Sequence, residues 1–276
     1  MSLKLAISGK GGVGKTTLAG TLARLMAADG RRVLAVDADP DANLASAIGL
    51  PAELRESVRT ISREKELIEE RTGAKAGEFG QIFSINPEVS DIADKYATSY
   101  AGVDLLVMGA VQRAGGGCAC PENVLLKSLI SHLVLKRDEV VILDMEAGIE
   151  HLGRSTAMGV DLMLVVVEPG QRSVETGHRV QEMASAIGIK GFAVVVNKST
   201  YQEEDLAWMK KEFGDETVIG LIPQDRRVAE ADRTGRSIVD LGDQELLAPF
   251  QEIQKIIEER FENTSLIGKR SSGVME

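Results

Sequence analysis

The chain has 276 residues, with 32 Lys+Arg against 42 Asp+Glu and a formal net charge of −10. Hydrophobic residues make up 43% and charged residues 27%, a globular composition that excludes a disordered chain. The acidic balance argues against non-specific nucleic-acid binding, which Lys and Arg drive, and two cysteines are too few for a disulfide framework.

In chain order, an apolar run at Leu3–Ser8 predicts a first strand and Thr16–Asp29 a helix. Val33–Asp37 predicts a second strand. The stretch Ala52–Gly80, the least regular of the chain, is charged and helix-prone and reads as an insertion over one end of a sheet. Strands are expected at Gln81–Ile85 and Asp104–Met108, a helix at Pro121–Leu135, and strands at Val140–Asp144 and Leu162–Val167. A helix at Ser173–Ile187, a strand at Phe192–Asn197 and a helix at Gln202–Phe213 follow. The strand Val218–Ile222 and helices at Asp225–Thr234 and Gln244–Asn263 complete the set. Most of the strand runs are continuous rather than alternating, the signature of strands buried on both faces of a parallel sheet. The expected fold is α/β: a mostly parallel twisted sheet of about seven to eight strands with helices on both faces. One domain is expected over residues 1–263, followed by a flexible polar tail over 264–276. The start MSLKLAISGKGGVGK lacks the pattern of a secretion signal, and no run reaches the roughly 18 apolar residues that span a bilayer, so the reading is a soluble cytoplasmic chain. The helix at Gln244–Asn263 carries five glutamates against Lys255 and Arg260, a polar face that anionic lipid would repel, so no membrane partner is expected.

Gly9-Lys10-Gly11-Gly12-Val13-Gly14-Lys15-Thr16 fits G-x-x-x-x-G-K-[ST] and lies between a strand and a helix, the context that motif requires. Glycines let backbone N–H groups close around phosphate oxygens, and the helix start adds its positive dipole end. Gly11, Gly12, Val13, Gly14, Lys15, Thr16 and Thr17 are therefore expected to hold a nucleotide. The Lys15 ammonium would sit on the β- and γ-phosphates and the Thr16 hydroxyl on Mg²⁺.

Lys10 is a second cation inside the loop, and it could be a solvated surface charge. The segment Lys-Gly-Gly-Val-Gly-Lys-Thr-Thr (Lys10–Thr17) resembles the deviant phosphate loop of the partitioning, septum-placement and nitrogenase-reductase class of ATPases. The resemblance implies a nucleotide-sandwich homodimer in which Lys10 acts on the partner's nucleotide. It also implies that Asp39 orients the attacking water, that Asp37 lies near Mg²⁺, and that Gly148 senses the γ-phosphate at the head of a switch segment, Gly148–Arg154. Asp144, at the end of Val140–Asp144, reads as the carboxylate that holds Mg²⁺ through water. Asn197-Lys198 resembles the base-reading strand end of these enzymes. Guanine-specific relatives carry N-K-x-D, whereas position 200 is Thr, so ATP/ADP is expected, with the Asn197 amide pairing with adenine.

Both cysteines lie in Gly115-Gly116-Gly117-Cys118-Ala119-Cys120-Pro121. Two thiolates do not complete a tetrahedral soft-metal site, but two copies of Cys-x-Cys at a dimer axis supply four sulfurs. Cys118 and Cys120 could also be two inert buried cysteines. Together with Asp-Met-Glu-Ala-Gly-Ile-Glu-His-Leu-Gly-Arg (Asp144–Arg154), the pattern looks like the CooC-type nickel-insertion ATPases, over roughly Met1–Asn263. That resemblance implies a homodimer holding nickel or zinc between subunits and coupling ATP turnover to metal insertion into carbon monoxide dehydrogenase or acetyl-CoA synthase. Glu146, Glu150 and His151 could be shuttle or supporting ligands of the metal, but read rather as switch and interface residues. A partitioning or septum-type ATPase switch and an iron–sulfur electron-donor ATPase are the alternatives.

Overall fold

The computed structural model describes residues 2–78, 80–109, 120–146 and 154–272, with side chains except at 154–155 and 263–272. Eight strands form one sheet: β1 (Lys4–Gly9), β2 (Val33–Asp37), β3 (Thr98–Tyr100), β4 (Val103–Val107), β5 (Val140–Asp144), β6 (Leu162–Val167), β7 (Phe192–Ser199) and β8 (Val218–Pro223). Their order across the sheet is β3-β4-β2-β5-β1-β6-β7-β8, and all neighbours are parallel except β3 with β4. From β1 the chain places β2, β3, β4 and β5 on one side, with β5 inserted last between β2 and β1, and then crosses to β6, β7 and β8 on the other, so the direction of winding reverses at β1. Ligand crevices of open α/β sheets lie at the carboxyl ends of the strands at such a reversal.

The helices are α1 (Lys15–Ala28), α2 (Leu44–Ile48), α3 (Ala52–Arg55), α4 (Lys65–Thr72), α5 (Ile92–Tyr96), α6 (Pro121–Lys136), α7 (Arg154–Ala157), α8 (Gln171–Ile187), α9 (Gln202–Phe213), α10 (Arg226–Thr234) and α11 (Gln244–Ser272). They cover both faces. On β5, Val141 and Leu143 join a layer with Leu125, Leu129 and Val180, while Val140 and Ile142 join the opposite layer with Leu18, Leu22 and Phe250. A strand covered on both faces, such as β5 or β6, therefore needs apolar residues along its length, which is why its sequence runs unbroken. The last helix continues to Ser272, beyond the end at Asn263 expected from the sequence. Among the described residues no helix is long and apolar enough to cross a membrane.

Two expectations need correction. Gln81–Ile85 is not a strand: its backbone pairs with no neighbour in the sheet, and Ile82 and Ile85 are exposed. A short β-prone run between Gly80 and Asn86-Pro87 has no sheet edge in reach, and β-propensity without a partner does not make a strand. The edge position belongs to β3, a three-residue strand that turns back on β4 through Ala101 and Gly102, both at positive φ. Its brevity hid it from pattern reading. The segment after residue 52 does lie over a sheet end, but it is also part of the core. Thr60 bridges Val107, Ser62 N–H donates to the Met108 carbonyl, and Ile61, Leu67 and Ile68 are buried.

Helices α1 and α2 approach closely at Gly20, where an added Cβ would lie 2.8 Å from the carbonyl carbon and from the Cβ of Ala47. In a free helix Gly→Ala gains about 1 kcal/mol of propensity. Here the overlap with backbone outweighs that gain, because overpacking costs about 1–3 kcal/mol. Gly20→Ala is expected to lower stability, read as a lower urea midpoint at unchanged slope; a raised midpoint would show that α2 yields freely.

Candidate functional site

The loop between β1 and α1 opens at the carboxyl edge of the sheet, beside the ends of β2, β5 and β6. Gly12 and Gly14 sit at φ of 82° and 95°, a left-handed backbone that L side chains rarely adopt. At Gly14 a Cβ would also meet the Asn197 amide nitrogen at 2.2 Å, so this position tolerates glycine alone on two counts. Gly14 precedes the first turn of α1, whose N-terminal N–H groups and dipole face the same mouth.

A cavity of about 610 Å³ lies over this loop. Gly11, Gly12, Gly14, Lys15, Thr16 and Thr17 form its floor. Asp39, Asp41, Asn43 and Ala47 form one wall, and Glu146 and Asp232 reach it from elsewhere. The expected phosphate-loop residues are thus brought together as the sequence predicts, except that Val13 turns inward and is buried. Lys10 is exposed on the loop. The Lys15 side chain is 7% exposed and its Nζ lies 3.9 Å from Asp39 Oδ2.

Asp37 and Asp144 are register partners on adjacent strands, and both are fully buried. They differ in what they touch. Asp37 Oδ2 accepts from Leu44 N–H at 2.9 Å and Oδ1 from Asp39 N–H at 3.3 Å. It organises the turn carrying Asp39 and the start of α2. Burial raises its pKa to about 6, against the pull of those N–H groups. Asp144 has no hydrogen-bond partner at either oxygen. Burial raises it to about 7, with Asp37 and Asp39 adding repulsion and the nearby Thr16 hydroxyl and Lys15 ammonium pulling it down.

A buried carboxylate with no closer donor than the Thr16 hydroxyl is costly unless something positive meets it. Its place beside Thr16 fits a hard divalent cation bound through oxygen, the chemistry Mg²⁺ prefers. Glu146 is fixed just past Asp144: its carbonyl accepts from the buried Ser8 hydroxyl at 2.7 Å. Gly148 lies outside the described residues, as does the rest of the expected switch before Arg154.

The Asn197 Nδ2 donates to the Val13 carbonyl at 2.7 Å, so this amide tethers the phosphate loop. A base-reading role would have to use its remaining valences. Cys120 is half-buried and occupies the N-cap of α6, with Pro121 as the first helical residue. Gly77 N–H donates to Glu122 Oε1 at 2.7 Å, tying the segment after α4 to this helix start. Cys118 lies outside the described residues, and among those described no group of three or more His, Cys, Asp or Glu side chains forms a metal cluster. Sequence reading missed Asp232 as a cavity residue. It lies on a solvated helix more than 200 positions from the loop, with no local signal of its role.

Residues 4–238 match the family described as the CobQ/CobB/MinD/ParA nucleotide binding domain. The chain is 48% identical over 238 residues to an uncharacterized ATP-binding protein of Methanocaldococcus jannaschii, covering 86% of this chain and 91% of that one. It is 45% identical over 239 residues to the carbon monoxide dehydrogenase accessory protein CooC of Rhodospirillum rubrum, covering 87% of this chain and 90% of CooC. Among solved structures, the cell-division protein MinD of Aquifex aeolicus superposes with a TM-score of 0.65 at 18% identity, over 93% of this chain and 97% of that one. A ParA-family ATPase of Chlorobium tepidum TLS gives 0.66 at 17%, over 91% and 98%. These two likenesses establish the architecture.

The raised carboxyls make a signed prediction. Asp37 and Asp144 titrate above their ordinary value of 3.8, so between about pH 4 and 7 the folded chain binds more protons than the unfolded one. Their contribution to stability is therefore full only below about pH 4 and is lost progressively as pH rises from there through 6 to 7. Without metal or nucleotide, Asp144→Asn is expected to raise the thermal midpoint at pH 8 by several degrees, at roughly 2–4 °C per kcal/mol, to raise it less at pH 5, and to change it little near pH 4. A lowered midpoint at pH 8 would show that the ionised carboxylate has a partner in the folded chain.

Proposed function

The chain belongs to the CobQ/CobB/MinD/ParA family of nucleotide-binding domains, and from that premise we propose that it is a Mg²⁺-dependent, dimeric ATP hydrolase that serves as an accessory protein in the maturation of carbon monoxide dehydrogenase or the related acetyl-CoA synthase. The observation that carries the hydrolase reading is the unpartnered Asp144 carboxylate at the mouth of the phosphate loop. The 45% identity with CooC, over most of both chains, supports the accessory role.

The phosphate loop holds the polyphosphate through backbone N–H groups and the Lys15 ammonium. Thr16 and Asp144 are the residues that would hold Mg²⁺, which supplies charge neutralisation at the phosphates. Asp39 orients the attacking water, a reading supported by its position in the cavity wall 3.9 Å from Lys15 Nζ. Asp37 acts through the backbone by fixing the Asp39 turn. Exposed Lys10 is free to reach across to the partner's nucleotide, and Gly148 senses the γ-phosphate. Asn197 contributes to adenine recognition and ATP selectivity.

Nickel, or zinc in its place, is the cargo. Cys118 and Cys120 from each of two subunits provide the four thiolates that soft-metal geometry asks for. Cys120 at the positive end of a 16-residue helix is where a thiolate is favoured. ATP-driven pairing and release of the two subunits would then assemble and open the metal site.

Lys15→Ala is expected to cut ATP turnover by more than about a hundredfold, since it removes the side chain that meets the transferred phosphoryl charge. Retained turnover would remove the site from this loop. Changing both Cys118 and Cys120 to Ser is expected to strip bound nickel or zinc while ADP affinity stays within about twofold. In metal analysis combined with light scattering, the wild type should show one metal per dimer. Unchanged metal content in the double mutant would place the metal elsewhere.

A further inference from the structure

Beyond the residues that face the cavity, the loop is held from behind by the end of β7. Between Val196 and Ser199 that strand advances three positions while β8 advances two, from Leu221 to Pro223. The extra residue makes a bulge at Asn197-Lys198, and bulges re-aim side chains beside functional sites. Lys198 sits there at φ 56°, and among the described residues only Ala101 shares a positive φ without being glycine. The conformation is locked on its far side: Ser199 Oγ donates to Asp205 Oδ2 at 2.7 Å, and Tyr201 N–H donates to the same oxygen at 3.2 Å. A strained backbone conformation persists only where its surroundings over-determine it, and it then invites a functional reading.

The strain aims one group. Lys198 Nζ donates to the Gly12 carbonyl at 2.5 Å and pairs with Glu168 Oε1 at 2.6 Å. Glu168 lies just past β6, so two strand ends meet on the loop. The side chains of Lys198 and Glu168 are 45% and 37% exposed, and ion pairs that exposed add little stability. Fold stability therefore does not account for the arrangement.

Peptide planarity does. In a trans peptide the carbonyl of one residue and the N–H of the next point in opposite directions. Holding the Gly12 carbonyl outward on Lys198 turns the Val13 N–H inward. Holding the Val13 carbonyl on Asn197 does the same for the Gly14 N–H. The inward Val13 N–H is only weakly engaged within the loop, at 3.4 Å from the Lys10 carbonyl. We propose that Lys198, braced by Glu168, is a positioning residue that sets the Gly12–Val13 peptide so that consecutive N–H groups of the phosphate loop face a nucleotide's phosphates. The proposal rests on the reading of this loop as the nucleotide site and adds to it a residue that touches no ligand.

The test measures ADP affinity by calorimetry, with Mg²⁺ present, alongside the thermal midpoint of the nucleotide-free chain, for wild type, Lys198→Met, Lys198→Gly, Lys198→Arg and Lys15→Ala. Lys198→Met is expected to weaken ADP about tenfold, the scale of losing one charge-assisted hydrogen bond. Lys198→Gly should weaken ADP similarly while raising the thermal midpoint, because glycine relieves the positive φ. Lys198→Arg should keep most of the affinity. Opposite movement of affinity and midpoint in Lys198→Gly is the signature that a purely structural lysine would not produce. The proposal is overturned if Lys198→Met and Lys198→Gly both bind ADP within twofold of wild type while Lys15→Ala does not, or if affinity merely follows the midpoint across the series. A wild type that fails to bind ADP would overturn the nucleotide reading itself.

Discussion

Everything at the mouth of the sheet is arranged around two carboxylates buried side by side where β2 and β5 end. Asp37 and Asp144 are paired in register, and burial raises both. Two adjacent acids cannot both be ionised there without compensation. The chain compensates one of them with its own backbone, as Asp37 accepts the N–H groups of Asp39 and Leu44. It leaves the other with no backbone donor and with the Thr16 hydroxyl as its nearest one. That asymmetry separates them: one acid builds the wall that carries Asp39, and the other lies buried near the Thr16 hydroxyl and the Lys15 ammonium.

The phosphate loop shows the same separation between groups that face the ligand and groups that shape the cradle. Its floor consists of backbone and the short side chains of the first turn of α1. Its outer side is fastened to β7 by two residues that reach back to carbonyls, Asn197 to Val13 and Lys198 to Gly12. A glycine-rich loop has high backbone freedom, and that freedom would have to be lost again on binding. Tethers from a rigid strand remove it beforehand, the usual physical meaning of preorganisation.

The start of α6 is the second place where chemistry gathers. Cys120 caps that helix, and Glu122 in its first turn receives the Gly77 N–H from the segment that leads to the exposed Ile82 and Ile85. The irregular stretch after residue 52, which has no periodicity of its own, is thereby tied at one end to β4 and at the other to the cysteine-bearing helix. Its contribution is to tertiary structure, and its fold follows from those attachments.

The sequence alone determined the parallel sheet, since strands buried on both faces must be apolar throughout. It also determined the phosphate loop, because glycine spacing and a strand-to-helix transition are local. Seven of the eight strands stand close to the positions those runs mark, as do the long helices. What it could not determine depended on partners distant in the chain. Gln81–Ile85 has strand-like residues but no edge to pair with, whereas Thr98–Tyr100 has little signal and gains its place by folding back on β4. The contrast between Asp37 and Asp144 was equally invisible, because both end an apolar run in the same way. Only the fold decides which of them meets backbone donors. Asp232 and the turned-back Asn197 and Lys198 belong to the same class. Periodicity along a chain encodes which face of an element is buried, but the direction a polar group points is set by what the rest of the molecule leaves unsatisfied around it.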